Sequence, residues 1–218
     1  MDKKNRIIIA VDGPAASGKG TLSKLLAKNF GFAHMDSGKL YRVAALYIIE
    51  NRINPKIQKE VLQNIGDINF YNLIGSSKLL SDEVGKIASI IANYKNLRDH
   101  LLKIQRDFVY IKNKDKLGVI IDGRDIGTVV LPEANIKFFV TATLEIRIER
   151  RCKELLSLGY NIIRRHVEQE MRNRDQRDKQ RTHSPLLAAR DAILLDTTNL
   201  EAEASYALAK KHIEVYLG

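Results

Sequence analysis

The sequence predicts an α/β fold in which helices cover both faces of a doubly wound, five-stranded parallel sheet. Three observations favour it: short apolar segments, helical patterns between them, and a glycine-rich turn after the first segment. Continuous apolar runs bounded by turn residues are typical of parallel strands that are buried on both faces. Strands that alternate with helices favour crossover connections and hence a doubly wound sheet. We expect the 218 residues to form a single domain.

Five segments have strand patterns, the second of them weaker, and five longer segments have helical patterns. The predicted strands are Arg6–Asp12, Phe32–Asp36, Gly118–Asp122, Ile136–Thr141 and Ala192–Asp196. The predicted helices are Lys19–Asn29, Tyr41–Asn51, Asn96–Lys112, Leu144–Leu156 and Glu201–Leu217.

Two stretches interrupt this alternation. The stretch 52–86 contains short polar β-like pieces, such as Asp67–Tyr71, and turn residues at Gly75–Ser77, which indicates an inserted lobe. A short segment at about residues 157–166 separates two basic helices and is predicted to form a lid. With a lobe at about residues 53–99, the predicted core consists of residues 1–52, 100–156 and 167–218.

Composition leaves two interpretations of the charge and favours a cytoplasmic protein. The net charge of +10 fits either a nucleic-acid surface or a pocket lined with cations for phosphates. The single cysteine, Cys152, can form no internal disulfide, which suits a reducing compartment. No apolar run approaches the ~20 residues needed to cross a bilayer, and the N-terminal segment does not resemble a signal peptide. We therefore expect cytoplasmic localisation.

A phosphate-binding loop is predicted between the first strand and the first helix. Glycines there let backbone N–H groups converge on phosphate oxygens, and the helix N-terminus adds partial positive charge. The lysine is placed to reach the β- and γ-phosphates of a nucleotide. The loop consists of Gly13, Pro14, Ala15, Ala16, Ser17, Gly18, Lys19, Gly20 and Thr21.

The residue after the loop lysine argues against a switch GTPase. Gly20 stands where most P-loop ATPases and GTPases have a magnesium-holding Ser or Thr, and Thr21 follows one position later. We therefore expect Mg²⁺ to be held mainly by phosphates, waters and a nearby acid, with no direct side-chain ligand assigned. The nearest match to a guanine-reading motif, residues 113–116 (NKDK), lacks the final Asp that such a motif requires.

Two further loops are predicted at the carboxyl ends of strands, where ligands bind in open α/β sheets. Residues 36–42 (DSGKLYR) place Ser37 at a helix start and Arg42 one turn inside, where an arginine could bind a phosphate, although the pattern is equally typical of a helix cap. At the second clear strand, Asp122 and Asp125 lie on either side of Arg124. Two acids and an arginine at the end of a strand are poorly suited to core packing, which favours a functional role. Either acid could orient Mg²⁺ or the acceptor.

Two arginine stripes flank the predicted lid. Arg147, Arg150 and Arg151 have i, i+3, i+4 spacing, so they share one helix face. The second stripe consists of Arg174, Arg177, Asp178 and Arg181. Solvated faces with local ion pairs are the alternative, because Glu154, Glu170, Asp175 and Asp178 lie close by in the sequence. In a chain with a phosphate loop, the two stripes favour clamping of a polyphosphate.

From Ile7 to about Tyr216, the sequence closely resembles the bacterial cytidylate (CMP) kinases, which belong to the P-loop nucleoside monophosphate kinases. The motifs that carry the resemblance are GPAASGKGT (13–21), MDSGKLYR (35–42), ASIIANYKNLR (88–98), IDGRDIGTVVLP (121–132) and RNRDQRDKQRTHSPL (172–186). The resemblance implies that the inserted lobe binds the nucleoside monophosphate. Between about residues 67 and 89 the chain departs from the family, because this lobe is shortened and Leu80 stands where an arginine is common.

The resemblance implies a role for each site residue. The 13–21 loop would bind ATP, with Arg150 and Arg151 as lid-side contacts to phosphate or adenine. Lys19, Asp122, Arg124 and Arg181 would form the catalytic group. The remaining roles belong to the acceptor: Ser37, Arg42 and Arg124 would hold its phosphate side, Tyr41 would pack against it, Ser89, Arg98, Asp125 and Arg181 would read cytosine, and Arg174 and Asp178 would hold the sugar hydroxyls.

The implied activity is transfer of the γ-phosphoryl group from ATP, with Mg²⁺, to CMP or dCMP. A kinase for another monophosphate, such as UMP, dTMP or AMP, is the nearest alternative. A basic P-loop protein that binds RNA is less favoured, because arginines and aromatics are not interleaved and aromatics make up only 6% of residues. We expect a monomer that binds small nucleotides and neither nucleic acid nor membrane.

Overall fold

The computed structural model describes residues 6–218 and contains one parallel sheet flanked by helices. The strand order is β2-β3-β1-β4-β5, with every neighbouring pair parallel, which confirms the predicted doubly wound sheet. The five strands lie where the sequence predicted them, with ends shifted by no more than a residue. They are β1 (Ile7–Asp12), β2 (Ala33–Asp36), β3 (Gly118–Gly123), β4 (Ile136–Thr141) and β5 (Ile193–Asp196).

Nine α-helices are found in residues 6–218, and all five predicted helices are among them. The predicted helix 96–112 consists of an α-helix that continues into a π-helical turn, Phe108–Lys112. The helices are α1 (Lys19–Phe30), α2 (Ser37–Glu50), α3 (Gln58–Gln63), α4 (Phe70–Leu73), α5 (Asp82–Ile91), α6 (Lys95–Asp107), α7 (Leu144–Ser157), α8 (Arg164–Gln180) and α9 (Ala202–Leu217).

The prediction of β-like pieces at 67–71 is wrong. The chain forms a 3₁₀ turn at Ile65–Asp67 and then enters α4 at Phe70. Ile65, Ile68 and Phe70 are buried in the core beneath α2, and this burial determines their conformation in place of local β propensity. Between α2 and α6 the chain therefore forms short helices that are joined by turns.

Two apolar clusters cover the two faces of the sheet. One is built mainly from α2, α5 and α6 and includes Leu40, Ile91 and Leu101. The other packs α1 and α9 against the sheet through residues such as Leu26 and Ile213. None of the helices in the described part of the chain combines the length and hydropathy that crossing a membrane requires.

The sheet places the carboxyl ends of β1, β2 and β3 side by side. The register pairs Asp12 with Gly123 and Asp36 with Asp122, so these strands end at the same level. The phosphate loop, the start of α2 and the loop after β3 therefore begin at one edge of the sheet, as expected for a ligand site in this topology.

Candidate active site

A cavity of about 550 Å³ opens at this edge of the sheet. Nine of the residues predicted for nucleotide binding or catalysis line it: Ala15, Ala16, Lys19, Gly20, Arg42, Asp122, Arg124, Arg151 and Arg174. They come from both sides of the sheet edge, from α2, and from the helices on either side of the predicted lid. The structure therefore brings together the phosphate loop and cations from four other parts of the chain.

Two glycines allow the phosphate loop its close turn. At Gly13 (φ 154°) a Cβ atom would lie 2.0 Å from the Val140 carbonyl oxygen, so no other residue fits against β4. Gly18 has left-handed backbone torsions (φ 89°, ψ −4°) immediately before α1, a conformation that favours glycine. The lining of the cavity does not include Gly13, Pro14, Ser17, Gly18 or Thr21, and Thr21 is exposed on α1.

Side chains of other elements donate hydrogen bonds to carbonyl oxygens of the phosphate loop. Arg147 donates to the Ala15 carbonyl oxygen (3.3 Å) and forms a bidentate ion pair with Asp175 on α8. The Thr197 hydroxyl donates to the Ser17 carbonyl oxygen (2.9 Å). Arg150 donates to the Thr197 hydroxyl and to its carbonyl oxygen (2.9 and 2.6 Å), so its guanidinium faces the loop after β5 and is absent from the cavity lining.

The ammonium group of Lys19 is buried at the floor of the cavity. Its Nζ donates to the Pro14 carbonyl oxygen (3.1 Å). Burial, followed by the positive charge of Arg124, lowers the pKa of Lys19 to about 7. A buried amine in a cationic surrounding gains most from an anionic ligand, because the ligand supplies the missing counter-charge.

Arg174 is the second unpaired cation of the cavity. No hydrogen bond or ion pair of its guanidinium is found within residues 6–218, and its Nε atom is buried without a partner. Burial, with the neighbouring Arg124, lowers the pKa of Arg174 to about 9. Buried polar groups are normally paired, so this orphan guanidinium indicates a site for an anion.

Two further arginines of the cavity, Arg42 and Arg151, contact the start of α5 and the residues just before it. Arg42 donates to the carbonyl oxygens of Leu79 (2.6 Å) and Ser81 (3.2 Å). Arg151 pairs with Asp82 and with Glu154. A Cβ atom on Gly85 would lie 2.9 Å from Arg42 Nη2, so this glycine lets the guanidinium lie against α5. The helical insertion thus covers two of the predicted phosphate-binding residues.

The residues predicted to read the base form a buried network beside the cavity. Arg98 pairs with Asp125 (2.5 Å) and lies over the Tyr41 ring, 5.4 Å from its centroid. Arg181 lies 4.0 Å from Asp125 and 3.9 Å from Asp178. Burial raises the pKa of Tyr41 to about 12, so the phenol stays neutral. None of these side chains belongs to the cavity lining itself.

Three more predicted residues are fixed by hydrogen bonds around the cavity. Arg124 pairs with Asp178 (2.9 Å), although the resemblance assigns them to different parts of the acceptor. The Ser37 hydroxyl donates to the Asp122 carbonyl oxygen (2.8 Å). The Ser89 hydroxyl accepts from Arg177 Nε (2.8 Å), which ties α5 to α8.

The sequence analysis assigned no role to several further lining residues: Asp36, Lys39, Asp82, Lys86 and Glu170. The role of Asp36 could have been predicted from the sequence, because Asp36 ends β2 directly before Ser37. Lys39 comes from the first turn of α2, and the others come from the insertion and from α8. Surface charges at these places have no sequence feature that would reveal which of them face a cavity.

The structure also permits a test of magnesium binding. Within the described residues, no group of three or more His, Cys, Asp or Glu is arranged to hold a metal ion. Asp36 and Asp122, however, both line the cavity close to the phosphate loop. Mg²⁺ usually keeps several waters and binds through one or two carboxylates and substrate phosphates, so this donor set fits the ion.

Two solved structures with low sequence identity share the fold of this chain. An uncharacterised protein from Eubacterium ventriosum aligns with a TM-score of 0.56 at 14% identity, covering 96% of this chain and 99% of that one. A sugar kinase from Janibacter sp. aligns with a TM-score of 0.50 at 14% identity, covering 96% and 95%. At these identities the likeness concerns the fold alone.

Sequence comparison identifies the family. The cytidylate kinase family model matches residues 9–212. Cytidylate kinase of Rhodospirillum rubrum is 43% identical over 203 residues, covering 93% of this chain and 95% of that protein. Cytidylate kinase of Fusobacterium nucleatum is 42% identical over 219 residues, covering 96% and 98%. With this match, and with a phosphate loop and five arginines around one cavity at the sheet edge, the chain belongs to the cytidylate kinase family.

Proposed function

We propose that the protein transfers the γ-phosphoryl group of ATP to CMP and dCMP, giving CDP and dCDP. The observation that carries this proposal is the shared cavity of Lys19, Arg42, Arg124, Arg151 and Arg174. Five cations from separate elements around one space of about 550 Å³ suit two phosphorylated ligands that meet end to end.

The chemistry needs little beyond positioning and neutralisation. An acceptor phosphate oxygen is already anionic near neutral pH, so no strong base is required. Catalysis then depends on aligning donor and acceptor and on stabilising the charge of the transferred group. All four cations Lys19, Arg124, Arg42 and Arg174 line the cavity. In the proposal, Lys19 and Arg124 supply this stabilisation, and Arg42 and Arg174 hold the acceptor.

Magnesium completes the charge balance in this proposal. Bound Mg²⁺ would be held mainly by phosphates and waters, with Asp122 and Asp36 as the nearest carboxylates in the cavity wall. It supplies electrostatic stabilisation of the transferred phosphoryl group.

Base selection is assigned to the buried network beside the cavity. Arg98, Asp125 and Arg181 present hydrogen-bonding groups that are already oriented by one another, with Tyr41 beside them. In the proposed complex Ser89 completes this set, and Arg174 and Asp178 face the sugar. An amide- and amine-bearing base such as cytosine can satisfy both a carboxylate and a guanidinium.

The position of the charge weakens the RNA-binding alternative. Of the six arginines that the sequence placed in stripes, Arg147 and Arg181 are buried and Arg150 donates to the loop after β5. The other three, Arg151, Arg174 and Arg177, line the cavity, so the stripes do not form an outer binding surface. We propose that the positive charge serves small nucleotides in a cytoplasmic, monomeric enzyme.

A turnover panel tests the proposal. CMP, dCMP, UMP, dTMP and AMP are offered separately as acceptors, with ATP and Mg²⁺ in excess. We expect CMP and dCMP to have the highest kcat/KM. Equal or faster turnover of UMP, dTMP or AMP would replace the acceptor assignment, and no turnover of any monophosphate would refute the kinase assignment.

A further inference from the structure

We propose that His34 on β2 is a positioning residue for the reaction, because it holds the carboxylate of Asp122 in the orientation that the phosphate site requires. This inference rests on the proposed function, since it concerns the cavity in which phosphoryl transfer takes place. The sequence analysis assigned no role to His34.

The first step is the contact itself. His34 Nε2 lies 2.7 Å from Asp122 Oδ2; the Asp122 side chain is buried and the His34 side chain is half-buried (4% and 16% exposed). An ionised carboxylate can only accept, so the histidine nitrogen donates the hydrogen bond. No other hydrogen bond to the Asp122 carboxylate is found in the described part of the chain, so His34 alone fixes its rotation.

The second step is the direction of the remaining oxygen. Asp122 Oδ1 lies 3.9 Å from the position that a Cβ atom on Gly20 would occupy, in the first turn of α1. The carboxylate therefore has one oxygen bound to β2 and the other beside the phosphate loop. Lys19 and Asp122 also interact electrostatically.

The third step is what would happen without the histidine. The sheet register pairs Asp36 directly with Asp122, and both carboxylates line the cavity. Loss of the donor would leave a buried carboxylate beside another negative charge, with no hydrogen bond to fix its rotation.

The variants follow from this geometry. His34→Gln keeps an amide N–H at similar reach, His34→Asn keeps the amide but is too short, and His34→Leu removes the donor. We expect His34→Leu and His34→Asn to lower kcat for CMP by about 10–100-fold, the usual scale for loss of a partner that orients a functional group. KM values should change less than about threefold, and His34→Gln should retain most of the activity.

A double-mutant cycle separates positioning from packing. If His34 acts through Asp122, His34→Leu should have no further effect on kcat in an Asp122→Asn background. The exposed His212, on α9 and away from the cavity, provides the control His212→Gln, which should behave like the wild type. Circular dichroism and Tm monitor folding of each variant.

A binding measurement is independent of turnover. Calorimetry with ADP, with and without Mg²⁺, should show that His34→Leu loses as much of the Mg²⁺-dependent gain in affinity as Asp122→Asn. Unchanged kcat and Mg²⁺ dependence in His34→Leu, equal damage by His34→Gln, or an undiminished effect in the Asp122→Asn background would overturn the inference. Wild-type protein that fails to phosphorylate CMP would instead refute the proposed function.

Discussion

At the scale of single residues, the cavity is defined by cations that lack counter-charges. Lys19 makes one hydrogen bond, to a carbonyl, and within residues 6–218 the guanidinium of Arg174 makes none. Both have lowered pKa values because they are buried near Arg124. Such residues lower the stability of the free protein and raise its affinity for an anionic ligand, because the ligand supplies the missing partner.

Replacing Lys19 by Met should therefore lower the activity of the protein and raise its thermal stability. We expect kcat to fall by about 10²–10³-fold, as on removal of one preorganised electrostatic donor. The free enzyme should have a higher Tm, since the buried ammonium is removed, and about 2–4 °C is expected per kcal/mol.

The pH dependence of this stability gain has a defined sign. The folded-state pKa of about 7 lies below the ordinary lysine value of 10.5, so Lys19 destabilises the free protein increasingly as the pH falls from 10.5 toward 7, and by a constant amount below 7. The gain from Lys19→Met should thus be largest at or below pH 7 and fade toward pH 10. Near-normal kcat, or a lower Tm at neutral pH, would contradict these roles.

Arg174 permits a comparison within one helix. Arg174→Met should raise KM for CMP by about 10–100-fold, which corresponds to the free energy of one charge-assisted hydrogen bond. It should not lower Tm. The control is Arg172→Met, two residues away, where the exposed arginine pairs with Glu168. Steady-state kinetics on both variants check this; equal KM values would remove Arg174 from the site.

At the scale of elements, the insertion touches the cavity through the start of α5. The carbonyl oxygens of Leu79 and Ser81 accept from Arg42, and Asp82 pairs with Arg151. Nucleotide phosphates that bind these arginines would have to compete with the same contacts. The position of α5 and ligand binding should therefore be coupled.

Neutralising Asp82 tests this coupling. The Asp82 side chain is 58% exposed, so its ion pair with Arg151 is worth little, about 0.5–1 kcal/mol. Asp82→Asn should accordingly lower KM for ATP by about two- to fivefold, measured at saturating CMP. Glu50→Gln, which removes an exposed pair with Lys78 elsewhere, is the control. A raised KM would show that Asp82 supports Arg151 instead of competing with the nucleotide.

The elements differ in how well the sequence predicts them. The three central strands, β1, β3 and β4, were predictable because each is a short, largely buried apolar run bounded by turn residues. The edge strands β2 and β5 are less buried, but each is still a short run bounded by turn residues. The insertion was not, because Ile65, Ile68 and Phe70 can support a strand or a helix until the core beneath α2 determines which forms. Local pattern alone cannot settle such a segment.

At the scale of the whole molecule, topology explains why the main site residues could be predicted from sequence. Loops that follow parallel strands meet at one sheet edge, so Lys19, Ser37 and Arg124 had to lie close together. The directions of individual side chains could not be predicted in this way. Arg150 lies on the same helix as Arg151 but donates a hydrogen bond to the loop after β5. His34 on β2 contacts Asp122 on the neighbouring strand, β3.

The central claim is that donor and acceptor bind end to end in one cavity. It is tested most directly by calorimetric titration with adenosine and cytidine joined through a polyphosphate chain. We expect one molecule of this analogue to bind per chain, far more tightly than CMP, and to abolish the binding of both ADP and CMP. If CMP still binds at its normal affinity to protein saturated with the analogue, the two nucleotides occupy separate sites and the account is wrong.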